Sequence, residues 1–224
     1  MWTTGARIKI IVGHYGSGKT ELALNMARSM HAAGHRTALV DLDIVNPFFR
    51  SAEQGAWLKD NGVRLLAPTF ALTAVDIPAL PAEILSVFGD QELKTVFDVG
   101  GDDAGALALG RYKRYFEETG YELIYVVNRF RPRSGTVAEI MDMMRRVSEC
   151  ARLKPTGLIN NSNLGDLTDQ KTMEEGHELL KAVSRESGLP LLCDSTAAGS
   201  VAPHADGTPL FRIDRITRPE WMEL

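Results

Sequence analysis

Short runs of aliphatic and β-branched residues alternate with longer stretches of helical period along most of the chain. The runs with strand character fall at 7–13 ("RIKIIVG"), 36–43 ("RTALVDLD"), 63–68 ("VRLLAP"), 95–100 ("TVFDVG"), 122–128 ("ELIYVVN"), 156–161 ("TGLINN") and 189–194 ("LPLLCD"). A further run at 209–214 ("PLFRID") predicts an edge strand. Apolar positions three and four apart predict helices over 19–34, 51–62, 82–89, 104–120, 136–153 and 171–188. Gly34 stops the first of these helices, and Ser51 opens and Gly62 closes the second. Strands and helices in strict alternation imply right-handed crossovers and a parallel sheet covered on both faces. In such sheets a ligand sits beyond the carboxyl ends of the strands, so the chemistry of this chain is expected there.

Composition narrows the picture in three ways. The 224 residues are 44% hydrophobic and 24% charged, enough for one substantial core, and the 20 glycines and 10 prolines are scattered rather than gathered into a linker. A single domain over 1–224 is expected, with no internal repeat. The net charge of −4 argues against an electrostatic grip on nucleic acid, although 111–114 ("RYKR"), 129–133 ("RFRPR") and Arg145–Arg146 could form a local basic surface. Cys150 and Cys193 have neither metal-site spacing nor a disulfide framework, which fits a reducing compartment. No apolar run approaches the ~18 residues of a membrane span and the N-terminus lacks a leader, so the cytoplasm is expected. The last stretch, 211–224, is short, carries Pro219 and ends acidic, so no membrane anchor is predicted.

The run Gly13-His14-Tyr15-Gly16-Ser17-Gly18-Lys19-Thr20, followed by Glu21, satisfies G-x-x-x-x-G-K-[ST] between a predicted strand and a predicted helix. A loop that wraps a phosphate needs inward-pointing backbone N–H groups in conformations that side chains obstruct, which is the reason for glycine. The helix that follows adds the positive end of its dipole. In that arrangement Lys19 bridges the β- and γ-phosphates and the Thr20 hydroxyl meets Mg²⁺. Carboxylates fall at two other strand ends. Asp98 is placed to hold the Mg²⁺ shell, directly or through water, and Gly101 just beyond it can offer a backbone N–H to the γ-phosphate. Asp41 and Asp43 share one side of their strand by alternation, so both can face the metal and the attacking water.

"GHYGSGKT", "VDLDIVNPFFR" and "VFDVGG" together resemble the MinD, ParA and CobQ/CobB group of P-loop ATPases. The resemblance covers most of the chain and implies a three-layer α/β/α P-loop NTPase fold with a mostly parallel central sheet. By position, Lys19 and Thr20 match the phosphate and Mg²⁺ residues, Asp43 the aspartate that orients the hydrolytic water, and Asp41 and Asp98 the acids around the metal. Members such as MinD and ParA carry a second lysine directly after the first glycine, which reaches across a homodimer to the partner's phosphates. This chain has His14 there, and a neutral imidazole is a poor substitute for a permanent cation.

Guanine specificity in P-loop proteins usually rests on N-K-x-D, and the corresponding strand end here reads "INNSNLGD" (159–166), with Asn163 in place of the acid. An amide cannot supply a carboxylate's two acceptors without also presenting a donor. ATP is therefore the expected nucleotide. In the resembling ATPases an asparagine near this strand end contacts adenine, which makes Asn160 or Asn161 the candidate, and 193–202 could add backbone contacts. Three functions remain open: a slow ATPase that switches an unidentified protein partner, with Phe48, Phe49 and Arg50 suited to that contact; a ligase phosphorylating a small carboxylate, as in dethiobiotin synthetase or cobyrinic acid amidation; and a DNA-partitioning ATPase. The glycine-poor stretch after the second strand lacks the G-x-K-P of dethiobiotin synthetase, and the loop 69–80 could touch whatever is acted on. His14, His31, His35, His177 and His204 read as lone histidines, not as the ligand pairs of a metal-delivery GTPase.

Overall fold

The computed structural model describes residues 2–43, 54–67, 82–101 and 103–217. Ser51, Phe48, Phe49, Arg50, the 69–80 loop and the end of the tail lie outside the described residues. Among those described, β1 (Ile8–Val12), β2 (Thr37–Leu42), β3 (Val63–Leu66), β4 (Lys94–Val99), β5 (Glu122–Val127), β6 (Gly157–Asn160), β7 (Leu191–Thr196) and β8 (Leu210–Arg212) form one sheet. Its order is β3-β2-β4-β1-β5-β6-β7-β8, and every neighbouring pair is parallel. The late apolar run thus becomes the edge strand that its position predicts.

The helices are α1 (Lys19–Ala32), α2 (Gly55–Asp60), α3 (Ala82–Gly89), α4 (Asp103–Gly110), α5 (Lys113–Thr119), α6 (Val137–Ala151) and α7 (Gln170–Ser187). Strand alternation sorts the core into two layers. Ile8, Ile10 and Val12 of β1 face the layer built with α3, α5, α6 and α7, whereas Ile11 faces α1 and Leu58 of α2. All of these side chains are buried. Two helix ends are written plainly in local chemistry. Thr136 and Glu139 form a reciprocal capping box at α6, and Asp169 caps α7 by accepting from the Thr172 backbone N–H at 2.8 Å.

One predicted helix is two. The stretch 104–120 breaks between α4 and α5, where Tyr112 turns into the core against Phe88 and Phe116 and the Gly110 carbonyl accepts from Arg152 at 2.8 Å. Tertiary packing there outweighs the helical period of the sequence. Strand β7 also runs two residues further than its apolar run, through Ser195 and Thr196, because β8 pairs with it from Asp194 to Thr196.

Candidate functional site

At the carboxyl end of the central strand β1, residues 13–18 curl back before α1 begins. Gly18 caps that helix at φ +85, and a Cβ there would stand 2.2 Å from Asn161 Nδ2. Both the left-handed backbone and the close approach call for glycine. The Asn161 amide donates to the Ser17 carbonyl at 2.8 Å, so the strand end of β6 holds the loop from outside. Within the loop Ser17 N donates to the His14 carbonyl at 3.1 Å, and the buried Lys19 ammonium donates to the same carbonyl at 3.2 Å. Gly101 lies over this loop: a Cβ on it would meet Lys19 Nζ at 2.7 Å and Tyr15 N at 2.8 Å. Burial pushes the His14 imidazole below its ordinary pKa, and the positive charges of Lys19 and Arg133 push it further the same way.

Asp41 and Asp98 are register partners on the adjacent strands β2 and β4, both almost fully buried, below the start of α1. Asp43 lies one residue past β2 and its backbone N–H donates to Asp41 Oδ1 at 2.9 Å. The three carboxylates that the sequence singles out therefore come together at the phosphate-loop side of the sheet.

A cavity of about 520 Å³ opens alongside the loop. Its inner end is lined by Tyr15, Gly16, Gly18, Lys19, Thr20 and Glu21, with Asp43 and Arg131 beside them. Its outer end is built from distant pieces: Asn161 and Asn163 after β6, Thr196 to Ala198 after β7, and Ile213, Arg215 and Thr217 beyond β8. Gly13, His14, Ser17, Asp41, Asp98, Gly101 and Asn160 do not line it. Most of these stand directly behind it, as the contacts above describe. The Glu21 carboxylate is taken by the last described segment, accepting from the backbone N–H groups of Ile216 and Thr217 and from the Thr217 hydroxyl. Four residues along α1, the buried Asn25 amide bridges both the N–H and the C=O of Asp214 at 2.8 Å. Arg131 and the 213–217 wall escape a reading of the sequence, because only tertiary contact brings them to the cavity.

Asn160, offered by the sequence alongside Asn161 as a base contact, turns the other way. Its amide nitrogen donates to Asp194 Oδ1 at 2.7 Å and its oxygen accepts from Ser162 N at 3.1 Å, with the side chain fully buried against α7. Asp194 also meets His177 Nδ1 at 2.9 Å, while His177 Nε2 meets Asp206 at 2.9 Å. Two of the histidines that look solitary in the sequence are thus neighbours: His177 and His204 stack with centroids 3.8 Å apart and planes 15° apart. The group is a stacked imidazole pair on a buried carboxylate, with His204 Nε2 3.5 Å from Asp194 Oδ2. Burial pushes the Asp194 carboxyl up, while the Thr208 amide, with His177 next, holds Asp206 below the usual carboxylate range. Ser195 Oγ links this network to the cavity, its single hydroxyl hydrogen within reach of the Asn160 carbonyl at 3.2 Å and of Asn161 Oδ1 at 3.0 Å.

Known proteins agree with this layout. The profile of the CobQ/CobB/MinD/ParA nucleotide-binding domain matches residues 9–190. No curated protein matches the sequence. Among solved structures, the chain resembles FtsY from Mycoplasma mycoides, with a TM-score of 0.57 at 15% identity, over 86% of this chain and 61% of that one. Chloroplast FtsY from Physcomitrella patens gives a TM-score of 0.59 at 17% identity, over 90% and 62% respectively. The signal recognition particle 54 kDa protein of Aeropyrum pernix K1, in complex with GDP, gives 0.56 at 20% identity, over 90% and 44%. The chain therefore spans about three fifths or less of these proteins, and at such identities the likeness is one of fold. With four fifths of its length under the family profile and a parallel α/β sheet of the matching kind, the chain belongs to the CobQ/CobB/MinD/ParA nucleotide-binding domain family of P-loop proteins.

Proposed function

We propose that this chain, acting as a single domain over 1–224, binds MgATP, hydrolyses it slowly and uses the nucleotide state to switch its hold on a partner protein. The observation that carries this reading is the continuous cavity running from the loop at Lys19 to Asn163. Its inner end suits a triphosphate: backbone N–H groups, the N-terminus of a 14-residue helix and a buried lysine. Thr20, Asp41 and Asp98 offer only hard oxygen donors, the set that Mg²⁺ takes; they would hold the ion, and it would supply positive charge against the phosphates. Asp43 orients a water against the γ-phosphorus; the bond to the β–γ bridging oxygen breaks, and ADP and orthophosphate leave. Lys19 balances the negative charge that builds on the transferred group, and the Gly101 N–H adds a donor to it.

Asn161 and the backbone of Thr196 to Ala198 flank the base. One neighbour is described with GDP, which would favour guanine. Against it stands Asn163, which lines the cavity as an amide where a guanine reader needs a carboxylate, and whose side chain donates to the Asn161 carbonyl at 2.7 Å and accepts from Gly165 N at 3.3 Å. ATP is the better match. Among the described residues no helix is long and apolar enough to cross a membrane, in keeping with a cytoplasmic switch.

The test is calorimetric titration with ATP and GTP, each with and without Mg²⁺, with Lys19→Ala as control. ATP binding that requires both Mg²⁺ and Lys19 is the expected result. A preference for GTP overturns the choice of base, and binding that survives Lys19→Ala overturns the site.

A further inference from the structure

The segment 129–133, "RFRPR", stands out in the sequence as a basic stretch suited to a nucleic-acid surface. Its place in the fold is different. The Arg131 Nε donates to the Gly16 carbonyl at 3.0 Å, and Arg131 lines the inner end of the cavity. A Cβ on Gly16 would stand 3.3 Å from both Arg131 Cδ and Nε, so a side chain there would crowd the arginine off the loop.

The turn that delivers it is fixed from below. Asn128, fully buried at the end of β5, accepts at Oδ1 from Phe130 N at 3.1 Å and from Asn163 N at 3.3 Å, and its amide donates to the Asn163 carbonyl at 3.2 Å. Arg131 N donates to the Asn128 carbonyl at 3.1 Å, and Arg129 N to Ser162 Oγ at 3.1 Å. One buried amide therefore sets both the arginine turn and the loop that carries Asn163.

We propose that Arg131 is a phosphate-binding residue acting in cis, supplying from within one protomer the cation to the terminal phosphate of the nucleotide that position 14 does not provide. This rests on the reading of the cavity as an ATP site. A guanidinium carries five N–H donors in a planar fork, so the bond from Nε to Gly16 is compatible with a two-pronged contact to phosphate oxygens. His14 cannot replace it: burial and the charges of Lys19 and Arg133 keep the imidazole below its ordinary pKa. A charge delivered in cis also removes the need for a second subunit to complete the phosphate site.

The experiment compares ATP and ADP affinity and steady-state hydrolysis in wild type, Arg131→Ala, Arg131→Lys and Lys19→Ala, over a hundredfold range of protein concentration. Loss of a charged contact to the terminal phosphate should weaken ATP binding by about tenfold or more while leaving ADP within about threefold. Hydrolysis should fall alongside, Arg131→Lys should recover part of both, and the rate per protomer should not change with concentration. A residue that merely pins Gly16 would move ATP and ADP affinity together; that result overturns the proposal, as does no change at all or an arginine effect seen only at high concentration. If Lys19→Ala binds nucleotide normally, the ATP site itself falls and this proposal with it. If binding depends on Lys19 but ignores Arg131, only the arginine assignment falls.

Discussion

The two ends of the cavity are made in different ways. The inner end is one continuous stretch, residues 13–21, whose binding groups are mostly backbone N–H and whose side-chain chemistry is concentrated in Lys19 and Thr20. The outer end is a mosaic of residues from the ends of β6 and β7 and from the last described segment beyond β8, held by Asn128, Ser195, Glu21 and the buried Asp194 network. A backbone-built site tolerates most substitutions and fails sharply at a few. A site assembled from side chains should fail gradually, through its supports.

That contrast can be broken most directly at Lys19. Lys19→Ala should weaken nucleotide binding by at least on the order of 100-fold, read by calorimetry, with little loss of folding stability. Asp43→Asn comes next: ATP affinity should hold while turnover slows by on the order of 100-fold or more in single-turnover assays. At the outer end, His177→Ala removes the close partner of Asp194 Oδ2 while Asn160 keeps Oδ1, and should cost about 2 kcal/mol in denaturant unfolding. It should also weaken base recognition while leaving orthophosphate or pyrophosphate binding unaltered. Asn163→Asp should exchange some ATP for GTP affinity, shifting the ratio by about tenfold in competition titrations, because two acceptors replace an acceptor and a donor.

The smallest effect concerns pH. Asp206 has its folded pKa below the 3.8 of an ordinary aspartate, so it adds stability that is fully present above that value and lost as pH falls through the folded value. Asp206→Asn should lower the neutral plateau of a stability profile and flatten its acid limb, so that variant and wild type converge in acid. A steep acid limb in that variant would assign the acid sensitivity elsewhere.

The inner end was legible in sequence because it is contiguous and because strand alternation places Asp41 and Asp98 at strand ends. The outer end was legible only in part. Asn160 and Asn161 look equivalent as neighbours in a polar run, yet they sit on opposite sides of β6. The same alternation could have separated them: Ile159 faces the α1 layer and Leu158 the α7 layer, so Asn161 follows the first and Asn160 the second. Arg131 shows in the sequence only as part of a basic run, and nothing local ties it or the 213–217 wall to the cavity, since their positions depend on contacts to Gly16, Glu21 and Asn25 far away in sequence. The break between α4 and α5 was hidden for a related reason. An unbroken helical period says nothing about Tyr112 finding Phe88 and Phe116.

The clasp between Glu21 and Thr217 joins groups 196 positions apart. On a ribosome working at about 5–20 residues per second, the phosphate loop would emerge roughly 10–40 s before the wall that closes the cavity beside it. Once Asn161 has followed to pin the loop, a nascent chain could hold phosphates but not yet an enclosed base. Grip on the whole nucleotide would thus arrive as a late checkpoint of synthesis, making stable nucleotide capture a report that the chain has been translated through to its last wall.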